Sequence, residues 1–535
     1  MPKKIAVIGA GASGLTAVKC CLEQDMEPVC YERSGHIGGL WYFNDECLKG
    51  QASVSRSTII NSSKEMMSYS DFPAPKEYPI FMHNTHVLNY FHLYAEYFGV
   101  KNYIHFNTEV LMVSKADTFE QTGQWKVDVR NRKTGITETN VFDGVLVCSG
   151  HHADKNLPSF HGMKSFRGRT LHSQDYKGTT GYEDKRVLVI GLGNSGGDAA
   201  VELSRVASRV FLSTRSGAWV FSRVSESGKP SDMLFSSRFF TKLQNTLPMS
   251  FVTWALRRQL NQKMDHDMYA IRPNFQPGQQ HPLCNDDLPN RLASGSVKLK
   301  TDVKRITENG VEFVDGTFED DIDVIVLATG YIFGFPFIDK SVFEVENNKL
   351  NLFKYMFLPE IEMQTMAVIG CVQPIGSTIP IAEMQSRLAC RVIKGEVTLP
   401  SREQMLADIR KKEVIMSHRY VKSQRHTIQV DYGPFMDEIA ELNGCKPDTK
   451  ALLFSDFKLW SSVVFGPCTP YQYRLMGPNK WDGARDAILS QWDRTVYPLG
   501  TRPLPITEEA PRSKAWLYVI YLAIIGYLFR CYLFG

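Results

Sequence analysis

Ile5-Ala-Val-Ile-Gly-Ala-Gly-Ala-Ser-Gly14 and Val187-Leu-Val-Ile-Gly-Leu-Gly-Asn-Ser-Gly196 are two copies of one pattern, a four-residue apolar run followed by GxGxxG. A single glycine triplet of this kind is weak evidence, because glycines recur in any loop. Here each triplet follows a strand-like run and opens a helix-like stretch. Glycines permit the tight turn and the close backbone approach, and the helix N-terminus meets the pyrophosphate charge. Two such units in one chain predict two dinucleotides held near each other, with electron traffic between them.

The strand-end residues beyond each loop separate the two nucleotides. After the first, Pro28-Val-Cys-Tyr31 leads to Glu32, an acid about twenty residues on that accepts ribose hydroxyls. An unphosphorylated adenosine ribose, as in FAD, suits that carboxylate. After the second, Val210-Phe-Leu212 leads to Ser213, Thr214 and Arg215, with no acid there. Hydroxyls and a guanidinium suit a 2′-phosphate, which arginine binds bidentately. The first site is therefore read as FAD and the second as NADPH. The loop residues assigned to FAD are Gly9, Ala10, Gly11, Ala12, Ser13 and Gly14, with Glu32. Those assigned to NADPH are Gly191, Gly193, Asn194, Ser195, Gly196, Gly197 and Asp198, with Ser213, Thr214 and Arg215.

Composition narrows the remaining classes. At 535 residues, two or three domains are expected. The chain is 43% hydrophobic and 22% charged, and its net charge of +4 argues against a nucleic-acid footprint. Its eleven cysteines are scattered and form no CxxC, the pattern of reduced thiols without a zinc site or redox dithiol, so no metal is expected. No secretory signal is expected before a strand that begins almost at Met1.

The other end reads differently. Ala515 to Phe529 carries no charge, and Arg530 interrupts before Cys-Tyr-Leu-Phe-Gly535. Those residues make a helix of about 22 Å, and counting through Gly535 gives about 31 Å, enough for a bilayer if Arg530 snorkels. Arg512 and Lys514 flank the near side, which keeps the folded body cytosolic. The tail is expected to be a membrane helix. Residues 216–295 exceed a usual dinucleotide fold and mix Phe235, Phe239, Phe240, Phe251 and Trp254 with Arg238, Lys242, Arg257 and Arg258. Such a stretch suits a membrane interface, and equally a helical cover for the active site; periodicity does not separate the two.

Further motifs carry a family resemblance. Phe166, Gly168, His172 and Tyr176 form FxGxxxHxxxY before the second glycine loop. With Gly38-Gly-Leu-Trp41, Asn61-Ser-Ser-Lys-Glu-Met66 and Ala328-Thr-Gly-Tyr331, the chain resembles a microsomal flavin-containing monooxygenase nearly end to end, through Gly477-Pro-Asn-Lys-Trp-Asp-Gly483. Within that family, His151-His152, Asn285 to Arg291 and Tyr420 to Gln429 look most like the fifth mammalian isoform. The His172–Tyr176 motif reads as a linker that relays the position of the NADPH domain. Tyr42, Gln174 and His161 depart from the family pattern, where Arg, Arg and a Pro-Gly turn are usual.

The resemblance implies an α/β fold with two Rossmann-like domains, the second inserted in the first, a helical insertion and a C-terminal membrane helix. The expected parts are 1–154 and 331–445 for FAD, 155–215 and 296–330 for NADPH, 216–295 for the insertion, 446–512 for an extension and 513–535 for the anchor. It implies a cycle in which NADPH reduces FAD and oxygen adds as a C4a-hydroperoxyflavin, which oxygenates amines, sulfides or, by Baeyer–Villiger insertion, carbonyls. Asn61 protects that intermediate, with Asn194, Gln373 and His281 in the pocket, and Leu40, Trp41, Ile60 and Ser62 beside the flavin. The partners implied are a small substrate, O2 and membrane lipid, with oligomerisation left open. The implied location is the endoplasmic reticulum membrane, body facing the cytosol. The alternatives are a poorly coupled NADPH oxidase releasing hydrogen peroxide, or a redox-sensing flavoprotein.

Overall fold

The computed structural model describes residues 1–46, 50–421 and 427–503. The chain divides into a large unit, Met1–Pro498, and a short one, Leu499–Gly535. Both apolar runs ahead of the glycine loops are strands, Lys4–Ile8 and Arg186–Ile190, and each lies at the centre of a five-stranded parallel sheet. Side chains buried on both faces explain why these strands read as continuous apolar runs.

In the first sheet the order is Met366–Val368, Gly144–Val147, Lys4–Ile8, Glu27–Tyr31, Ile104–His105. In the second it is Val297–Lys300, Arg209–Ser213, Arg186–Ile190, Val324–Leu327, Arg169–His172. The chain leaves the first sheet after Val147, builds the second between Arg169 and Leu327, and returns to the first at Met366. The motif expected as a linker is thus partly an edge strand: Arg169–His172 pairs in parallel with Val324–Leu327. Its two named residues tie that edge down. His172 Nε2 donates to the Gly330 carbonyl at 3.0 Å, and the Tyr176 hydroxyl donates to Glu202 at 2.9 Å.

The departures from the family pattern have local reasons. The turn needed at 161–162 is made by Gly162 at φ +80°, against Ile306, while the His161 carbonyl accepts the Ile306 N–H at 2.9 Å. Gln174 is buried and donates to the Ala153 carbonyl at 3.0 Å. Tyr42 stacks on His36, with ring centroids 3.3 Å apart.

Helices of the insertion, Ser231–Phe235, Arg238–Thr246 and Met249–Lys263, pack toward residues 437–472: Arg238 pairs with Asp437 at 2.5 Å, and Phe239 packs on Phe465. Met249–Lys263 buries no residue and leaves Met249, Phe251 and Trp254 at least half exposed. Among the described residues no helix is long and apolar enough to cross a membrane. The expected anchor, 513–535, lies outside the described residues.

Candidate active site

At each glycine loop the three glycines do different work. A β-carbon on Gly9 would lie 2.9 Å from the Cys148 carbonyl oxygen, and one on Gly14 would overlap the Gly9 carbonyl. Gly11, the N-cap of helix Ala12–Leu22, is crowded by nothing nearer than Gly39 Cα at 3.6 Å. The second loop repeats the scheme: Gly191 is pressed on Ala328, Gly196 on Gly191, and Gly193 faces open space. Helices Ala12–Leu22 and Asn194–Leu203 both start without a capping side chain or an acid in the first turn. Unpaired amides and an open middle glycine are what a pyrophosphate requires, so both loops fit the dinucleotides expected of them.

Glu32, just past the strand Glu27–Tyr31, holds the first loop together. Its carboxylate accepts Ala10 N–H at 2.8 Å, Ser34 N–H at 2.8 Å and Ser34 Oγ–H at 2.7 Å. A carboxylate offers about four acceptor positions, which leaves room for a ribose hydroxyl. Leu40 and Trp41 belong to the turn Gly39–Trp41 that crosses above Gly11, and Ser13 faces Gly370. At the end of Arg209–Ser213, the Ser213 hydroxyl turns inward and donates to Thr301 at 2.7 Å. Thr214 Oγ1 accepts Gly217 N–H, while Arg215 is exposed and has no ion pair or hydrogen bond among the described residues. Ser213 has thus spent its hydroxyl proton inward, whereas the Thr214 hydroxyl still has its proton to donate and the Arg215 guanidinium is free to meet a phosphate.

The loop Ile60–Ser63 lies between the flavin half and the insertion. Ile60 N–H bonds the Met82 carbonyl, and the following Lys64 and Glu65 are fully buried. Lys64 Nζ donates to the Lys76 and Tyr78 carbonyls, and burial pulls its pKa down to about 8. Glu65 accepts the Tyr471 hydroxyl at 2.7 Å and pairs with Arg494 at 3.2 Å. From the insertion side, Asp232 accepts both Ser63 N–H (2.7 Å) and Oγ–H (2.9 Å), and burial raises its pKa to about 6. Asn61 Oδ1 accepts a 2.7 Å bond from Arg223 Nη2. Asn61 and Ser63 are therefore both gripped by residues 216–235, so that part of the insertion covers the loop.

Asn194 opens the helix after the second loop, and its Oδ1 accepts Cys284 N–H at 2.8 Å. Asp198, one turn on, accepts Asn285 Nδ2 at 2.8 Å, and burial pushes its pKa up to about 6. Leu283–Cys284 pairs in parallel with Val220–Phe221, which brings the 283–286 segment beside Arg223. Gln373 and His281 meet through a third residue. Gln373–Ile375 pairs with Gln429–Asp431, placing Gln373 opposite Gln429, whose Nε2 lies 3.3 Å from His281 Nδ1. His281 also lines a cavity of about 10 Å³ with Leu192 of the second loop, Trp219 and Phe221, room for about one water. A larger cavity of about 520 Å³, lined by Leu350, Leu406 and Ile409 among others, includes no residue of either glycine loop. No group of three or more His, Cys, Asp or Glu able to hold a metal occurs among the described residues.

The sequence reading therefore missed Arg223, Asp286, Asp232 and Gln429. Asp286 and Gln429 stand inside segments already noted for their resemblance, which gave them no role. Arg223 and Asp232 carried no motif signal at all.

Comparison with known proteins gives the family of the chain. The profile described as flavin-binding monooxygenase-like matches residues 2–532. Flavin-containing monooxygenase 5 of Cavia porcellus is 51% identical over 529 residues, 98% of this chain and 99% of that one. Among solved structures, S-allyl-L-cysteine S-oxygenase from Allium sativum superposes with TM-score 0.64 at 21% identity, covering 93% of this chain and 99% of the other. Oxidized steroid monooxygenase bound to NADP gives TM-score 0.62 at 16% identity, covering 83% and 98%. At those identities the structural likeness is one of fold.

Proposed function

This chain belongs to the flavin-binding monooxygenase-like family, and we propose that within it the protein oxygenates small molecules, carbonyl compounds by Baeyer–Villiger insertion as well as soft nitrogen and sulfur nucleophiles. It is an oxidoreductase that uses FAD and NADPH. When bound, FAD accepts two electrons from NADPH and, once reduced, activates O2, one atom going to substrate and the other to water.

The chain's own residues bind, orient and shield. Gly9–Gly14 with Glu32 hold the flavin nucleotide, and Gly191–Asp198 with Thr214 and Arg215 hold NADPH. Asn61 and Asn194 each have their side-chain oxygen engaged by a protein donor, so their amide N–H groups are the ones that would be left to meet a bound cofactor. Residues 216–235 close over Asn61 and keep water from the reacting centre. His281 faces the small cavity beside Leu192 of the second loop, and Gln429 orients it beside Gln373.

The observation that supports this reading best is the paired cradle: two glycine loops with an open middle glycine, each followed by the nucleotide-selecting side chains it needs. The experiment is simultaneous measurement of NADPH consumption, peroxide release and product with an aliphatic ketone and with a tertiary amine. An ester from the ketone supports carbonyl insertion. N-oxide alone removes it and leaves the broader activity, and peroxide without either product favours the uncoupled oxidase.

The reading extends to the membrane. The expected parts, 1–154, 155–215, 216–295, 296–330, 331–445, 446–512 and 513–535, place an uncharged stretch, Ala515–Phe529, at the C-terminus and exposed aromatics on Met249–Lys263. Both suit attachment to the endoplasmic reticulum, with the catalytic body in the cytosol. Removing residues after Arg512 is expected to shift part of the protein into the soluble fraction with FAD retained. Complete retention in membranes assigns the anchoring to the insertion instead.

A further inference from the structure

Arg223 follows the strand Val220–Phe221, and its side chain is 13% exposed. Nη2 donates to Asn61 Oδ1 at 2.7 Å, while Nη1 and the backbone N–H face Asp286 Oδ2 at 3.4 and 3.3 Å. Its Nε is buried without a partner among the described residues. Arginine is donor-only and charged at any physiological pH. The atom of Asn61 that faces it must therefore be the carbonyl oxygen, which settles the amide orientation on chemical grounds. The Asn61 amide nitrogen is turned the other way and has no partner among the described residues.

The second asparagine is held in the same sense. Cys284 N–H takes Asn194 Oδ1, Asn285 N–H bonds the Phe221 carbonyl at 3.0 Å, and Asp286 meets Arg223. A continuous bonded path thus runs from Asn194 through Cys284–Asp286 and Arg223 to Asn61. Nothing in the glycine-loop logic calls for Arg223; its contacts arise from the insertion.

We infer that Arg223 is a positioning residue that fixes Asn61 as a hydrogen-bond donor toward the flavin site and ties that orientation, through Asp286, to the second glycine loop. The inference rests on the flavin reading above. The group Asn61 would address is an acceptor on the bound flavin, and without Arg223 the amide is free to flip and present its carbonyl there instead.

The test uses the full-length FAD-loaded protein and four variants: Arg223→Met, Asn61→Ala, their combination, and Asn61→Asp, which still accepts from Arg223 but cannot donate. Visible circular dichroism of the bound flavin is recorded without turnover, and peroxide released per NADPH is recorded with it. Arg223→Met and Asn61→Asp are expected to retain FAD, to shift the flavin signal in the same way, and to raise peroxide release several-fold. The double variant is expected to be no worse than Asn61→Ala alone, because coupled residues are not additive. Additive losses, or a wild-type flavin signal in Asn61→Asp, overturn the inference. If Arg223→Met fails to fold, the Asn61→Asp signal still decides. A wild-type protein that holds FAD but does not oxidise NADPH would defeat the functional reading, while the flavin signal would still report on Arg223.

Discussion

Gly14 packs directly against Gly9, so that a β-carbon on Gly14 would overlap the Gly9 carbonyl oxygen, while the same atom on Gly11 would meet only Gly39 Cα at 3.6 Å. The outer glycine is required by the fold and the middle one by the ligand. In the second loop Gly196 and Gly193 divide the work in the same way.

That division predicts two distinct failures. Gly11→Val is expected to fold, with an apoprotein melting point close to wild type, but to lose FAD because its side chain occupies the path of the pyrophosphate. Gly14→Ala is expected to be unstable even before flavin is added. Absorbance at the flavin band together with thermal melting separates the two, and a fully flavin-loaded Gly11→Val protein would refute the assignment.

Arg215 has no protein partner to lose among the described residues. Arg215→Ala should therefore leave stability unchanged and weaken NADPH by about 1.5–3 kcal/mol, or about 10- to 150-fold, the worth of a charged hydrogen bond. NADH lacks the phosphate and should be little affected. Titration of both nucleotides measures it, and equal losses would exclude the phosphate role.

Asp232 is expected to impose a pH dependence on stability. Burial raises its folded-state pKa to about 6, above the roughly 3.9 of an exposed aspartate. Between those values the folded protein binds a proton that the unfolded chain does not, so this group's contribution falls as pH rises toward 6 and stays lost above it. Asp232→Asn removes the buried charge yet can still accept from Ser63. Its melting temperature relative to wild type should be more favourable at pH 7.5 than at pH 5. A difference that does not change with pH would rule out Asp232 as the source.

Arg474 is 1% exposed and meets Glu383 and Asp71 at 2.9 Å and Glu23 at 3.4 Å. Lys19, on the helix that begins at the first glycine loop, completes the cluster with Glu23 and Asp71. Removing one member of a buried ionic network strands the others, at a cost of about 3–5 kcal/mol. Arg474→Met should show that loss in denaturant unfolding, and Arg474→Met with Glu383→Leu should recover part of it. A loss below about 1 kcal/mol for the single variant would mean that the cluster is solvated.

The sequence by itself determined the two nucleotide loops, the parallel strands beneath them and the contrast between Glu32 and Arg215. Each of these is written within about thirty residues, as an apolar run, a glycine spacing and a strand-end side chain, and short-range sterics suffice to read it. Only the tertiary structure decided what surrounds Asn61 and His281. Arg223 reaches Asn61 across 162 residues, Gln429 reaches His281 across 148, and Arg474 reaches Glu23 across 451. Such partners leave no local period or spacing, because they are brought together by how the insertion and the C-terminal segment fold back on the two sheets. The edge strand Arg169–His172 was missed for the same reason: four residues with a half-exposed pattern become a strand only through their bonds to Val324–Leu327.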